Sequence, residues 1–311
     1  MNQSLSILVP VYNNADTIPL LVSRLASFEK EVDGHYEVIF VIDGATDGSM
    51  LTLESELGKS HFKSTILVHS RNFGSFQAIR SGLLASTGDL VLVMSADLQE
   101  PVDLFVAMLR GLASGDCDVA IATRASREDP ILSRWSSSAF WAVYRAFVNS
   151  EMPRKGMDVF GCTKAFSEAL VSLPESRSSL VGLIYWLGYS RKEYPYDRLE
   201  RAGSGKSAWS FGKKLQYLGD SVFSFTNLPV RALLFLGAAL LFGSVLFGSF
   251  IVVERLTGGI SEPGYASVVL LVLITNALNM TGLGIVGAYA WRAYENTKQR
   301  PLSIVKEQKE F

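Results

Sequence analysis

Five short runs of β-branched and apolar residues, LSILVPV, EVIFVID, STILVHS, DLVLVMS and DVAIATR, punctuate the first 125 residues. Between them lie segments whose apolar positions recur at helical spacing, at 15–31, 48–58, 74–86 and 101–114. Alternation of this kind predicts an α/β fold with a mostly parallel, Rossmann-like sheet and helices on both faces. Residues 126–200 are less regular, with helices expected at 131–149, 164–172 and 178–187. A sheet covered on both faces collects ligand chemistry at the C-terminal ends of its strands.

Beyond residue 228 the pattern changes. No charged residue occurs from Ala232 to Val253, nor from Tyr265 to Trp291. Each run is long enough to cross a hydrocarbon core of roughly 30 Å as a helix, so two transmembrane helices are predicted. Lys206, Lys213, Lys214 and Arg231 precede the first run, and Arg292, Lys298, Arg300, Lys306 and Lys309 follow the second. The loop between them carries Arg255 against Glu254 and Glu262. The positive-inside rule then puts both termini in the cytoplasm. Asn276 and Asn279 share one face of the second span and suit a bond to a neighbouring helix, while Ser244/Gly248 and Gly284/Ala288 are small-residue pairs that permit close packing. A homo-oligomer is therefore expected. The stretch 208–227 interleaves aromatics with Lys213 and Lys214, as in a segment lying in the membrane interface. The chain divides accordingly into a catalytic domain (1–207), an interfacial segment (208–228), a first span (229–255), an external loop (256–264), a second span (265–292) and a cytoplasmic tail (293–311).

At 311 residues and a formal net charge of −1, the chain lacks the basic excess of a nucleic-acid binder. Cys117 and Cys162 form no CxxC pair, and His35, His61 and His69 follow no zinc-ligand spacing. The opening MNQSLSILVPVYNN reads as a buried first strand rather than a signal peptide.

Candidate chemistry falls at the predicted strand ends. The first ends in Pro10-Val11-Tyr12-Asn13, an aromatic and an amide that can wall a flat ring. The second ends in VIDGATDGS, where Asp43 could accept a bond from a base N–H and Asp47 suits a helix cap. The third leads into SRNFGS, which brings Arg71 to the same rim. The fourth ends in VLVMSADLQEP. If that segment is extended, Asp97 and Gln99 point the same way and can share one hard cation set against a diphosphate; a plain turn before Pro101 is the alternative.

Together PVYN, VIDGATDGS, SRNFG, SADLQEP and RAGSGKSAW resemble the family 2 glycosyltransferases of the GT-A fold. Within that family the chain looks like the polyprenyl-phosphate glycosyltransferases, relatives of dolichyl-phosphate mannose synthase, over nearly its whole length. The resemblance implies transfer of one sugar, with inversion, from a nucleotide-diphosphate donor to a polyprenyl phosphate. UDP-glucose is the favoured donor, undecaprenyl phosphate the acceptor, and the inner (plasma) membrane the location. It places Pro10, Tyr12, Asn13 and Asp43 at the base and ribose, with Arg71 and Ala96 beside them. Mg²⁺ or Mn²⁺ would sit on Asp97 and Gln99. Arg124, Arg134 and Ser138 would hold the acceptor phosphate, and Arg201, Lys206 and Ser207 would lie in a loop closing over the donor. Asp158 would orient the sugar or a loop, or act as a base.

The sequence departs from the family pattern at several points. Ser95 stands where an aspartate usually opens the metal motif, Ile42 replaces the first of two acids, and Asp158 lacks its following arginine. Either Gly203 or Gly205 could be the loop's motif glycine. No QxxRW occurs, which argues against a processive polysaccharide synthase. GSGKS lacks the frame of a P-loop. Two other readings remain open: transfer to a lipid-linked saccharide or protein, and a weakened nucleotide-sugar-binding membrane protein.

Overall fold

The computed structural model describes residues 3–28, 36–125, 157–173, 175, 179–199, 219, 222, 226, 228–257 and 264–311. The five predicted strands form as β1 (Leu5–Val11), β2 (Tyr36–Ile42), β3 (Lys63–His69), β4 (Leu90–Val93) and β5 (Val119–Arg124). The helices between them are α1 (Ile18–Phe28), α2 (Ser49–Leu57), α3 (Ser75–Ala85) and α4 (Val102–Ala113). After these come β6 (Phe160–Thr163), α5 (Lys164–Val171), α6 (Leu180–Trp186) and β7 (Arg191–Tyr196). Two long helices, α7 (Leu228–Thr257) and α8 (Tyr265–Thr297), precede a last strand, β8 (Val305–Glu310). The helix expected at 131–149 and most of the interfacial stretch 208–227 lie outside the described residues.

The sheet order is β7-β5-β6-β4-β1-β2-β3-β8. β4, β1, β2 and β3 are parallel neighbours, whereas β6 and β8 run against the strands they pair with. Alternate residues of each central strand enter opposite cores. Ile7, Val9 and Val11 pack with α1, α2 and α4, while Leu8 packs on the other side with α3, α5 and α6. Burial on both faces explains why these strands read as unbroken apolar runs.

The sequence pattern places β8 within the expected cytoplasmic tail, 293–311. Its residues, VKEQKE, show no alternation and are mostly exposed. Backbone pairing holds it instead, with Thr65 opposite Glu310 and His69 opposite Val305, and a bulge between Val68 and His69. The alternating charges suit an outer strand that must not recruit further chains. Lys309 adds ion pairs to Glu54 and Glu307.

Within α7, Pro229–Phe250 is, among the described residues, the one span long and apolar enough to cross a membrane. Leu234, Phe235 and Phe242 on α7, and Met280, Leu283 and Val286 on α8, are all exposed. At the end of α8 the Lys298 ammonium lies over the rings of Trp291 and Tyr294, an aromatic and basic pairing typical of a membrane–water boundary. Among the described residues, α7 and α8 meet where Gly282 faces Leu233, while Gly248 and Gly284 look onto open space. Asn276 and Asn279 are exposed on α8.

One glycine joins the fold to the candidate site. Gly44, with φ +66°, follows β2, and a Cβ there would lie 2.4 Å from the Asn72 backbone nitrogen. Gly48, with φ +85°, has open space around it. Gly44→Ala should cost about 2–4 kcal/mol, combining left-handed strain with a backbone clash. Gly48→Ala should cost about 1 kcal/mol, the strain alone. Thermal or chemical unfolding of both variants in the same detergent checks the difference.

Candidate active site

The loops after β1, β2, β3 and β4 meet at one sheet edge, and polar side chains stitch them together. Asn13 adopts φ 53°, which asparagine tolerates, and its Oδ1 accepts the Thr46 N–H at 2.9 Å. Asn14 N–H donates to Ser49 Oγ at 2.9 Å. Asp47 accepts from Ala15 N at 3.0 Å and from Ser49 N and Oγ at 3.1 and 2.5 Å. Asp47 thus binds the first helical N–H from just outside the cap, which is Gly48. Burial pushes its carboxyl pKa up, but the bonds from Ser49 and Ala15 outweigh this and hold it below the usual range. Tyr12 is left 44% exposed beside Pro10, with its ring open to solvent.

Asp43, expected at the base and ribose, is 2% exposed and bonded within the chain. One carboxylate oxygen accepts from His69 Nδ1 and Phe73 N, each at 2.8 Å, and the other from Gly74 N at 2.8 Å. Burial raises its pKa, yet the bonds from His69, Phe73 and Gly74 and the imidazole's field bring it below the ordinary value. The carboxylate therefore shapes the turn that carries Arg71. Asn72 Nδ2 donates to the Asp43 carbonyl at 3.2 Å, and the Arg71 guanidinium stacks 4.0 Å from the centre of the Phe73 ring.

Residues 94–100 do not continue as a strand. β4 stops at Val93, and Leu98 adopts φ 60° between Asp97 and Gln99. The expectation that an extended backbone aligns those two side chains is corrected: a tight turn, strained at a non-glycine residue, presents them. Helix α1 braces that turn. Thr17 Oγ1 donates to the Ala96 carbonyl at 2.8 Å, and Arg24 donates to the carbonyls of Leu98 and Glu100, each at 3.2 Å. Ala96 is itself buried. Ser95 Oγ lies 2.8 Å from Asp97 Oδ1 and also contacts Glu100 Oε2. Glu100 is 3% exposed, and burial, with the nearby Asp97 and Asp158 charges, pushes its pKa up to about 7 against the bond from Ser95. Gln99 is 8% exposed; its Nε2 donates to the Leu199 carbonyl at 3.2 Å, and its Oε1 is buried without a hydrogen-bond partner.

Opposite this turn, Arg124 grips Asp158 with two bonds, Nε to Oδ2 at 2.7 Å and a terminal nitrogen to Oδ1 at 2.8 Å. Tyr196 OH donates to the same Oδ2 at 2.9 Å. Burial first, then the Asp158 charge, drives the Tyr196 phenol well above its usual pKa. Arg198 lies 3.8 Å from Asp97.

The structure thus gathers Pro10, near the end of β1, with Tyr12, Asn13, Asp43, Arg71, Ala96, Asp97 and Gln99 on adjoining loops, and Arg124 and Asp158 as a pair close to Glu100. Arg134, Ser138, Arg201, Lys206 and Ser207 lie outside the described residues. Sequence reading passed over Thr17, Arg24, His69, Tyr196 and Arg198. None has a local signal, because each acts across at least 11 intervening residues or from another element. Glu100 stands within the VLVMSADLQEP run, where its sequence position gives no sign of its burial.

An unsatisfied buried amide oxygen two residues from a carboxylate suits a hard divalent cation. Among the described residues no cluster of three or more His, Cys, Asp or Glu side chains could hold a metal. Asp97 and Gln99 would need donor phosphate oxygens to complete a coordination shell.

Residues 6–172 match Glycosyl transferase family 2. A putative glycosyltransferase of Bacillus subtilis, CsbB, is 33% identical over 99% of this chain and 93% of its own. A bactoprenol glucosyl transferase of Shigella phage SfX is 26% identical over 98% of this chain and 99% of its own. A crystal structure of glucosyl-3-phosphoglycerate synthase from Mycobacterium tuberculosis, with Mn²⁺, UDP-glucose and phosphoglyceric acid, covers 70% of this chain and 78% of that one, at 16% identity and a TM-score of 0.49.

The depressed pKa of Asp43 sets a pH dependence. Its ionised form is favoured in the folded chain, so its stabilisation is present above the unfolded carboxyl's pKa and disappears as pH falls through the lower folded value. Asp43→Asn should therefore lower stability most near neutral pH, with the gap to the parent chain closing below about pH 4. Denaturant unfolding of both proteins across that range measures it.

Proposed function

The chain belongs to glycosyl transferase family 2, and on that premise we propose that it moves one sugar from a nucleotide-diphosphate donor, UDP-glucose favoured, to a polyprenyl phosphate at a membrane surface. The observation that carries this reading is one continuous chain in which an exposed apolar span is fastened to the sheet that bears the site. Full-length similarity to proteins named bactoprenol glucosyl transferase supports the same acceptor class.

The topology supports two crossings rather than one. β8 pairs with β3, so the end of the chain lies in the same sheet as its beginning. A chain that leaves through α7 must return through α8 for that pairing to form. Both termini then share one face, the cytoplasmic one by the charge bias of the flanks. The open faces at Gly248 and Gly284 suit a homo-oligomer.

In this reading Tyr12 stacks on the base, Asn13 and Pro10 line the ribose, and Asp43 holds the 71–74 turn so that Arg71 faces the donor. Asp97 and Gln99 would hold Mg²⁺ or Mn²⁺, which, when bound, neutralises charge on the diphosphate. Arg124, together with Arg134 and Ser138, aligns the acceptor phosphate, and the Asp158 fork sets the plane of the Arg124 guanidinium. Arg201, Lys206 and Ser207 close over the donor. A phosphate oxygen forms the new bond to the anomeric carbon as the bond to the nucleotide diphosphate breaks, with inversion. The acceptor is already an anion, so no proton need be removed. A saccharide hydroxyl would need a base, and Asp158 is a poor candidate with both oxygens bonded to Arg124 and one also to Tyr196.

The test is transfer by the purified full-length protein to undecaprenyl phosphate from a panel of radiolabelled nucleotide sugars, with and without chelator. Label should enter the organic phase from UDP-glucose and stop with chelator, and Asp97→Asn should reduce it on the order of a hundredfold. Transfer only to a saccharide or protein acceptor would overturn the reading, as would donor binding without transfer to any acceptor.

A further inference from the structure

The tail that follows α8 reaches the candidate site through a buried line of side chains. Ser303 Oγ lies 2.7 Å from Ser81 Oγ on α3, and Ser81 Oγ lies 2.8 Å from His69 Nε2 at the end of β3. His69 Nδ1 lies 2.8 Å from Asp43 Oδ1. His69 is 1% exposed and Ser81 is buried, with Ser303 half-buried at the outer end, so water is excluded from the inner links of this line.

The ionised Asp43 carboxylate only accepts, so His69 Nδ1 carries the proton that bonds it. A ring with one proton accepts at Nε2 from the Ser81 hydroxyl and a ring with two donates to it, and the Ser81–Ser303 bond runs in the matching direction. Every link orders the next, and Asp43 ends the line by accepting the N–H groups of Phe73 and Gly74.

A second contact runs beside the first. The His69 ring meets the Phe73 ring edge-on, with centroids 5.4 Å apart, and Arg71 stacks on Phe73. The bulge in the β3–β8 pairing falls between Val68 and His69. Bulges re-aim the side chain beside them. Ser70 N donates to the Ile304 carbonyl at 2.9 Å, which holds the tail against β3 next to Ser303.

We propose that the C-terminal segment is a positioning element of the donor site, with Ser303, Ser81 and His69 acting through Asp43 on the turn that carries Arg71. This rests on the reading that the 71–74 turn meets the donor. None of the three touches donor or acceptor. They set how sharply the turn is held before the donor arrives, so their loss appears in donor affinity rather than in the bond-making step.

The test measures donor KM and kcat for the purified full-length protein. Ser303→Ala should raise the donor KM roughly threefold to tenfold, the range of one buried neutral hydrogen bond, with kcat within about twofold. Ser81→Ala should give the same split, and Ser303→Thr, which keeps the hydroxyl, should restore the parent KM. Lys309→Ala, which removes the β8 ion pairs but not the line, should leave KM unchanged. The chain has three histidines, so ¹⁵N-histidine spectra can isolate the His69 ring signal, which should shift in Ser303→Ala and not in Lys309→Ala.

An unchanged KM in Ser303→Ala overturns the proposal, whether or not the His69 signal moves. So does a lowered melting temperature with kcat and KM changed alike, since that marks a scaffold role only. Arg71→Ala separates this from the reading beneath it. A raised KM in Arg71→Ala but not in Ser303→Ala keeps the donor turn and removes the tail. The converse keeps the tail's effect and removes Arg71 as its route.

Discussion

A parallel sheet covered by helices on both faces has no free surface except at the ends of its strands. Here Ile7, Val9 and Val11 enter one core and Leu8 the other, so β1 leaves only Pro10, at its C-terminal end, partly exposed. β2, β3 and β4 are likewise buried toward their C-terminal ends. Chemistry is confined to the loops leaving their C-terminal ends, where the chain turns back into helices. Everything functional in this molecule depends on how those loops are held.

They are held by buried polar groups rather than by regular structure. Asp43 organises the turn after β3, Asn13 and Asp47 tie the first loop to the second, and Thr17 and Arg24 brace the turn after β4. Each bond is between groups that would cost more left unpaired than it returns when made, so the loops settle into one arrangement. Ser95 fits this account. It stands at a crowded corner where the Asp97 and Asp158 charges already act against ionised Glu100, and its hydroxyl lies against Asp97 and Glu100. A third acid in its place would add to that repulsion.

The long apolar helices are tied to the same edge. β8 adds its backbone to β3, and Ser303 just before it touches the line that ends on Asp43. With β8 on β3, the chain beyond α8 attaches the long helices to the sheet beside the loops that carry Asp43 and Arg71. On the function proposed above, that attachment suits a reaction whose donor arrives from solution and whose acceptor stays in a bilayer.

The alternation of strand and helix, the apolar runs after residue 228 and the residues at four strand ends were legible in the sequence, because burial on a fixed period writes itself into local composition. Their partners were not. The tertiary structure alone decided that Asp43 faces inward to His69, Phe73 and Gly74, that Leu98 turns the backbone between Asp97 and Gln99, and that Arg124 is paired with Asp158. It also decided that a charged tail without alternation becomes a strand, since backbone pairing asks little of side chains. These are contacts between residues tens to hundreds of positions apart. A local pattern records which face of an element is buried, but not which distant group will meet it there.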